Sequence, residues 1–295
     1  MLLGLSVIWG GSFFFIAVAV AELPPFTIVG LRVSLAALVL WAVVAARGMA
    51  IPRSPKAWRA LLVMGTLNNA IPFTLITYGE MEIASGLAGI LIATTPLFTV
   101  LTAGVFLADE RISAKKIIGV LIGMAGVAVM IGPAALKGMG GAAMGQLAVL
   151  GGAASYASAG VYGRRFRVMG ISPIVVTAGQ ATTAALLLIP LSLAVDRPFS
   201  LPFPSPAAWG SVVALGLVCT AFAYVFYFRI LATAGATNIA QVTFLVPVSA
   251  VLLGWLFLGE RLELIHLGGM ALIALGLSAI DGRLWRRRLS TARAC

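Results

Sequence analysis

A chain of 295 residues that is 61% hydrophobic and only 10% charged, with a mean hydropathy of +1.08, cannot hide its apolar side chains in one water-soluble core. Lipid must therefore cover much of its surface. A net charge of +11 would suggest a nucleic-acid partner in a soluble protein. Here the basic residues fall in short loops between apolar runs, where they set membrane orientation, so no nucleic-acid partner is expected.

Ten apolar runs follow one another along the chain, and each is near the roughly 20 residues that cross a bilayer core. In lipid such runs must be helices, because every backbone N–H and C=O needs an internal partner. The first run lacks a preceding basic segment, so we interpret it as a span rather than a signal peptide. The sequence predicts an all-α integral membrane protein whose ten spans are Leu2–Val20, Phe26–Ala46, Ala60–Tyr78, Ala84–Ala108, Ile117–Leu136, Ala142–Tyr162, Pro173–Val195, Ala207–Phe228, Ala236–Leu258 and Leu264–Ile280.

The charges divide between the two sides of the membrane. Sixteen of the 20 lysines and arginines lie in the loops after spans 2, 4, 6 and 8 and in the tail after span 10. The positive-inside rule then places both termini in the cytoplasm of a multi-pass protein, which we expect in a bacterial inner membrane. Six of the nine acidic residues fall on the opposite side: Glu22, Glu80, Glu82, Asp196, Glu260 and Glu263.

Two segments of the chain match each other at a spacing of 150 to 151 residues. One runs from Pro96 to Glu110-Arg111 and the other from Pro247 to Glu260-Arg261. Both end in Phe-Leu-x-Glu-Arg, with one inserted residue in the first copy. We therefore predict two five-span units, residues 1–137 and 138–282, followed by a basic cytoplasmic tail, residues 283–295. Five is odd, so the second unit is inverted, as in many secondary transporters. The alternative is an old gene duplication without transport.

These features resemble the drug/metabolite transporter superfamily in its ten-helix EamA type. The shared features are Trp9-Gly10 in span 1, Arg32 in span 2, the mid-span prolines and the two Glu-Arg endings. The resemblance covers essentially the whole chain and is closest to bacterial amino-acid and metabolite exporters, including the aromatic amino acid exporter branch. It implies a central cavity lined by spans 1, 3, 4, 6, 8 and 9, with spans 5 and 10 peripheral.

Polar side chains inside lipid-spanning helices usually face a bundle interior or a wet cavity. The adjacent amides of Asn68 and Asn69 suit an amino or carboxylate group, although helix-to-helix hydrogen bonding is the alternative. Interfacial anchoring is the alternative for the aromatic residues, most of all for Tyr78 near a span end. The candidate substrate-binding residues are Trp9, Ser12, Asn68, Asn69, Tyr78, Thr95, Tyr156, Tyr224 and Gln241.

Three further features have both a structural and a functional interpretation. Pro96 and Pro247 are expected to be gating hinges, or static kinks. The small residues of span 5 permit close packing, or a homodimer through spans 5 and 10. Arg32 is charged inside a span, and we expect it to reach the outer interface rather than to bind substrate.

Together these patterns predict a secondary transporter that exports small organic metabolites, including aromatic amino acids, by alternating access. Efflux of drugs or hydrophobic cations is the alternative. A membrane-embedded enzyme is disfavoured, because the single histidine, the two distant cysteines and the lack of a mid-membrane acidic pair offer no catalytic or metal site. Neither a cofactor nor a metal is expected.

Overall fold

The computed structural model describes residues 1–107, 110, 113–132, 140–239 and 241–281. This part of the chain is helical and contains no β-strand. The α-helices are α1 (Leu2–Val20), α2 (Pro25–Ala46), α3 (Pro55–Gly65), α4 (Ile71–Gly79), α5 (Ser85–Ile92), α6 (Thr95–Phe106), α7 (Ala114–Ile131), α8 (Gly141–Val168), α9 (Pro173–Leu191), α10 (Pro206–Gly216), α11 (Ala223–Ile239), α12 (Val242–Leu258) and α13 (Leu264–Asp281).

The predicted all-α membrane protein is confirmed. Among the described residues, seven helical segments are long and apolar enough to cross a bilayer, and two shorter apolar helices follow them. Helix α8 supplies a tenth segment of 28 residues, about 42 Å long, which is less apolar because it is rich in glycine and has arginines near its C-terminus. Each predicted span therefore falls on a helical segment. The boundary at 137/138, the tail 283–295 and Arg111 of the first motif lie outside the described residues.

The helix ends gather at two faces of opposite charge. At one face, carboxylates that follow the C-terminus of one helix accept hydrogen bonds near the N-terminus of another. Glu22 accepts from Ser205 N, and Asp196 accepts from Thr27 N. We call this the acidic face and define it by Glu22, Glu80, Glu82, Asp196 and Glu260. The opposite end of the bundle is the basic face, defined by Arg47, Arg59, Lys116, Arg164 and Arg165.

The packing between spans has a paired pattern. Span 1 packs against spans 8 and 9, through α10 and α12, and span 6 packs against spans 3 and 4, through α4 and α6. Span 3 packs on span 7, and span 8 packs on span 2. These pairs correspond to each other when five is added to the numbers of spans 1–5 and subtracted from those of spans 6–10. The pair 1 with 8 then becomes 6 with 3, the pair 1 with 9 becomes 6 with 4, and the pair 3 with 7 becomes 8 with 2. Three further contacting pairs, 2 with 7, 4 with 9 and 5 with 10, are unchanged by this renumbering.

Spans 3 and 8 share an unusual backbone feature. Each contains a π-helical turn in its middle, at Thr66–Ala70 and Leu217–Phe222. The two turns begin 151 residues apart, the spacing of the two sequence motifs. A π-turn inserts an extra residue into a helix and redirects the following side chains, which is why such turns are often found at functional sites.

The two prolines of the motifs differ in their setting. Span 4 is interrupted at Ala93–Thr94, and Pro96 lies in the first turn of α6, where its missing N–H costs nothing. Pro247 lies inside α12, where it removes one backbone hydrogen bond. Their role as hinges stays a prediction.

Spans 5 and 10 pack closely on each other through glycine. A Cβ atom on Gly119 would lie 2.6 Å from the Gly276 carbonyl oxygen, and one on Gly126 would lie 2.7 Å from the Gly269 carbonyl oxygen. Only glycine permits this approach between backbones. The small-residue face of span 5 is therefore occupied by α13 of the same chain. A homodimer involving spans 5 and 10 stays a prediction and would have to use their outer faces.

Candidate functional site

A cavity of ≈ 670 Å³ lies between spans 1, 2, 3, 4, 6, 8 and 9. Its wall is largely apolar and aromatic, with a few polar groups, as is usual for small-molecule sites of 300–1,000 Å³. Span 2 is the one wall element that the family resemblance did not imply. Six of the nine predicted binding residues line the cavity: Trp9, Ser12, Asn68, Thr95, Tyr156 and Tyr224.

The other three predicted residues lie elsewhere. Asn69 is completely buried, and neither of its amide atoms has a partner among the described residues. Consecutive side chains on a helix point in different directions, and Asn68 is the one of the two adjacent asparagines that lines the cavity. Tyr78 is 38% exposed near the end of span 3, with its ring against Phe26. Gln241 is exposed in the turn that precedes α12.

A hydrogen-bond network in the wall centres on the Tyr224 hydroxyl. The Asn68 Nδ2 group donates to this hydroxyl at 2.9 Å, and the Gln180 Nε2 group donates to it at 3.5 Å. The network joins spans 3, 7 and 8. Because the tyrosine oxygen accepts both bonds, its own proton is free to be donated toward the cavity. Asn68 Oδ1 is left as an acceptor on the same wall, so the network offers a ligand both kinds of hydrogen-bonding group.

Arg32 is a wall residue that the sequence did not assign to the site. Its side chain is 5% exposed, and its Nε group donates to Thr220 Oγ1 at 2.9 Å. Its guanidinium carbon lies 3.8 Å from the centroid of the Phe73 ring, which is a cation–π contact. The expectation that Arg32 reaches the outer interface is wrong. It lies about 10 Å along α2 from the first residue, and the π-turn of span 8 presents Thr220 to hold it inside.

Glu80 is buried at the acidic face, directly after α4. Its side chain is 6% exposed, and neither carboxylate oxygen has a hydrogen-bond partner among the described residues. The sequence correctly places Glu80 on the acidic side but gives no sign of its burial. The preceding Gly79 explains it, because a Cβ atom there would lie 2.8 Å from the Gly145 carbonyl oxygen of α8. The end of α4 is therefore pressed against α8 and covers the carboxylate.

The cavity is closed toward the acidic face. Glu260, in the second Glu-Arg motif, accepts hydrogen bonds from Ser85 N at 2.8 Å, Ser85 Oγ at 3.0 Å and Gly86 N at 3.1 Å. It thereby caps the N-terminus of α5, where unpaired N–H groups and the helix dipole favour a carboxylate.

The more accessible wall residues of the cavity lie toward the basic face. The wall residues nearest the acidic face, such as Ile16 and Ile76, are buried. On the basic-face side, Met64 and Gly163 are half-buried and Gly160 is exposed. Accessibility of the wall therefore increases toward the basic face, and we infer that the entrance is on this side.

Glu110, the counterpart of Glu260 in the first motif, has different partners. It accepts hydrogen bonds from Arg164 Nη2 at 2.7 Å and Lys116 Nζ at 3.3 Å. These two hydrogen bonds lower the pKa of the Glu110 carboxyl, which lies outside the membrane spans. The glutamates of the two motifs thus have different contacts: Glu260 caps a helix at the acidic face, and Glu110 forms partly exposed ion pairs at the basic face.

Comparison with known proteins places the chain in a family. The model of the EamA-like transporter family matches residues 1–132 and 143–280. The chain is 31% identical over 272 residues to the uncharacterized inner membrane transporter YedA of Escherichia coli K12, covering 90% of this chain and 84% of YedA. It is 25% identical over 276 residues to the uncharacterized transporter YoaV of Bacillus subtilis, covering 94% of each.

A solved structure titled "Crystal structure of protein" shares the fold with a TM-score of 0.65 and 26% identity. The match covers 98% of this chain and 97% of that one. The family match spans nearly all of the helical segments described above, and the relatives are named as transporters. The chain is therefore a multi-pass membrane transporter of small molecules and belongs to the EamA-like transporter family, within the drug/metabolite transporter superfamily.

Proposed function

We propose that this transporter exports small organic metabolites, amino acids including aromatic ones among them, by alternating access. The observation that carries the proposal is the central cavity, which is open at one face and closed at the other. A permanently open channel needs no closed end, whereas a carrier must close one side of its site while the other is open. In this proposal, the observed arrangement is the state that is open at the basic face.

The chemistry of the wall supports an aromatic or apolar metabolite. Trp9 and Tyr227 pack on each other with ring centroids 5.7 Å apart, and Phe73 packs edge-on against Tyr156 at 6.3 Å. Such surfaces offer offset and edge-to-face contacts to a ligand ring. The hydrogen-bonding groups of the network around Tyr224 would orient the polar end of an amino acid.

Several observations support two inverted halves exchanging conformations. The neighbour pairs of spans convert into one another when five is added or subtracted, and the π-turns are 151 residues apart. The family model also matches in two stretches, one on each predicted half. In the opposite state, Glu110 would leave its ion pairs and cap the beginning of span 9, as Glu260 caps α5 in the present one. The two Glu-Arg motifs would thus be alternating latches.

The charge asymmetry supports an orientation. Among the described residues, most lysines and arginines lie on the side of the basic face, and the positive-inside rule assigns this side to the cytoplasm. The cavity would then be open to the cytoplasm, ready to load a metabolite for export. We place the protein in a bacterial inner membrane with both termini cytoplasmic.

Flux measurements in proteoliposomes test the proposed function. Purified protein should exchange radiolabelled aromatic amino acids across the vesicle membrane faster than empty vesicles do. Tyr156→Ala and Asn68→Ala alter the cavity wall, and we expect each to lower the flux about tenfold. The matched controls are Tyr78→Ala and Asn69→Ala, which make the same chemical changes away from the cavity. Equal loss of flux in the controls, or no flux above empty vesicles, would contradict the proposal.

A further inference from the structure

We infer that Arg32 is the carboxylate-binding residue of the cavity, so that the transported molecules carry a carboxylate beside an apolar or aromatic body. The inference rests on the proposed function and specifies its substrate class. It concerns a residue whose sequence pattern favoured a purely structural role.

Among the residues that the structure describes, the Arg32 guanidinium is a buried charge without an ion-pair partner. In the described part of the chain, no carboxylate lies within 4.0 Å of it, and its hydrogen bond to Thr220 uses Nε alone. A guanidinium has five N–H donors, so the four on Nη1 and Nη2 have no protein acceptor among these residues. Buried charges in membrane proteins are costly and are normally paired or functional. The pairing group is therefore expected to come from a ligand.

Glu80 does not supply the missing partner. Its side chain is buried like that of Arg32, at 6% exposed. It is nevertheless beyond 4.0 Å and makes no hydrogen bond to the guanidinium. The Nη donors of Arg32 thus remain available among the described residues.

The guanidinium is fixed in place before any ligand arrives. Phe73 covers one face of its plane, and the Thr220 bond holds its inner edge. These two contacts leave the Nη1 and Nη2 groups free. Together they can donate two parallel hydrogen bonds to a carboxylate. Because both contacts are already formed, a carboxylate binds without ordering the side chain.

The positive charge of Arg32 argues against cations as ligands of the cavity. Arg32 is the one charged residue among the described residues that line the cavity. An ammonium group would find neutral acceptors there, such as Asn68 Oδ1, but no carboxylate. The cavity should therefore favour anions and accept zwitterions, while it rejects cations of the same shape. Efflux of hydrophobic cations, the alternative that the sequence left open, does not fit this electrostatic arrangement.

Three ligands with the same phenylethyl body test the inference on the full-length protein in detergent. They are 3-phenylpropanoate, an anion, phenylalanine, a zwitterion, and 2-phenylethylamine, a cation. Thermal unfolding at graded concentrations gives an apparent Kd for each ligand. We expect the two carboxylates to raise the Tm with at least roughly tenfold lower Kd than the amine. The ratio between the anion and the zwitterion measures how well the neutral acceptors solvate an ammonium group.

Substitutions assign the preference to Arg32. Arg32→Gln should raise the Kd of both carboxylates roughly 10- to 100-fold and leave that of the amine unchanged or lower. Arg32→Lys should retain part of the affinity, because it keeps the charge but loses the fork. Arg59→Gln, the same change at an exposed arginine of the basic face, is the matched control and should have no effect.

The outcomes separate this inference from the proposed function. The inference is overturned if the amine binds the wild-type protein as well as the carboxylates do, or if none of the carboxylates raises the Tm. It is also overturned if a folded Arg32→Gln protein keeps its carboxylate affinity. If that variant does not fold, the wild-type ligand series still decides. Carboxylate binding without flux in vesicles would contradict transport alone, and flux without a carboxylate preference would contradict the Arg32 site alone.

Discussion

Removal of the Glu260 latch should open the cavity to the acidic face. Glu260 accepts three hydrogen bonds at the N-terminus of α5, from Ser85 N, Ser85 Oγ and Gly86 N. A helix N-cap contributes about 0.5–2 kcal/mol, and a carboxylate at the positive end of the dipole contributes about 0.3–1 kcal/mol. If these contacts exist only in the state closed at the acidic face, Glu260→Ala shifts the equilibrium between states by about 2 kcal/mol, or roughly 30-fold.

Thiol labelling measures this shift. Ser12 lines the cavity, and Ser12→Cys in a Cys219→Ala, Cys295→Ser background provides a single thiol of nearly unchanged size. A membrane-impermeant maleimide, applied to the acidic face of vesicles with known orientation, reacts at a rate proportional to the fraction open to that face. The Glu260→Ala substitution should raise this rate roughly 30-fold. Glu260→Gln keeps one acceptor oxygen and should raise it by a smaller factor, about fivefold.

A nearby acidic residue provides the control. Glu263 is exposed at the same face, three residues along the chain, and makes no contact with α5 among the described residues. Glu263→Ala should leave the labelling rate unchanged. An unchanged rate in Glu260→Ala, or an equal increase in Glu263→Ala, would refute the latch.

Three other predictions address packing, pH and topology. Gly119→Ala should lower the free energy of unfolding by about 1–3 kcal/mol, because the new methyl group would meet a carbonyl oxygen of α13. In the control Gly268→Ala, the methyl group faces open space and stability should not change. Thermal unfolding compares the two variants. Hydrogen bonds from the hydroxyl and backbone N–H of Ser205 lower the pKa of Glu22 below 4.5. The charged Glu22 side chain therefore stabilises the fold above that pH, and this stabilisation is lost as the pH falls through the lowered pKa. The difference in Tm between wild type and Glu22→Gln should therefore shrink on acidification, and a constant difference would contradict this. Cysteines placed at Lys115 and Glu263 should be labelled from opposite sides of the membrane, and labelling of both from one side would exclude inverted halves.

The helices were predictable from the sequence, because the bilayer permits only one backbone conformation for a long apolar run. An apolar run of about 20 residues has no alternative to a helix in a bilayer, and in the described part of the chain each predicted span coincides with a helical segment. Helix boundaries are harder to place from the sequence where polarity changes gradually. The predicted start of span 9 at Ala236 fits the break at Gly235, whose φ of 77° is not helical. The regular helix α12 begins only at Val242.

The cavity wall was only partly predictable, because composition does not give direction. Polarity singled out both Asn68 and Asn69, yet the helix rotation that points Asn68 inward leaves Asn69 buried against neighbouring helices. A π-turn at Thr66–Ala70 sets that rotation, and nothing in the local sequence announces such a turn.

The buried charges depended on tertiary contacts. Arg32 is near enough to a span end to reach water, and only the positions of Thr220 and Phe73 on other helices show that it turns inward. Glu80 follows the last residue of its helix, a place where carboxylates are usually exposed. Its burial depends on the close approach of Gly79 to α8, a contact between residues 66 positions apart.

Blocking the cavity entrance tests most directly whether substrate passes through this site. Gly160 lines the cavity on the basic-face side, and a Cβ atom there would have nothing within 4 Å, so Gly160→Trp can place an indole in the entrance without disturbing packing. Gly210→Trp makes the same change at an equally open position outside the cavity. With equal Tm values for the two variants, exchange of a radiolabelled aromatic amino acid in proteoliposomes should be abolished by Gly160→Trp and retained by Gly210→Trp. Wild-type exchange in a folded Gly160→Trp protein would contradict the account.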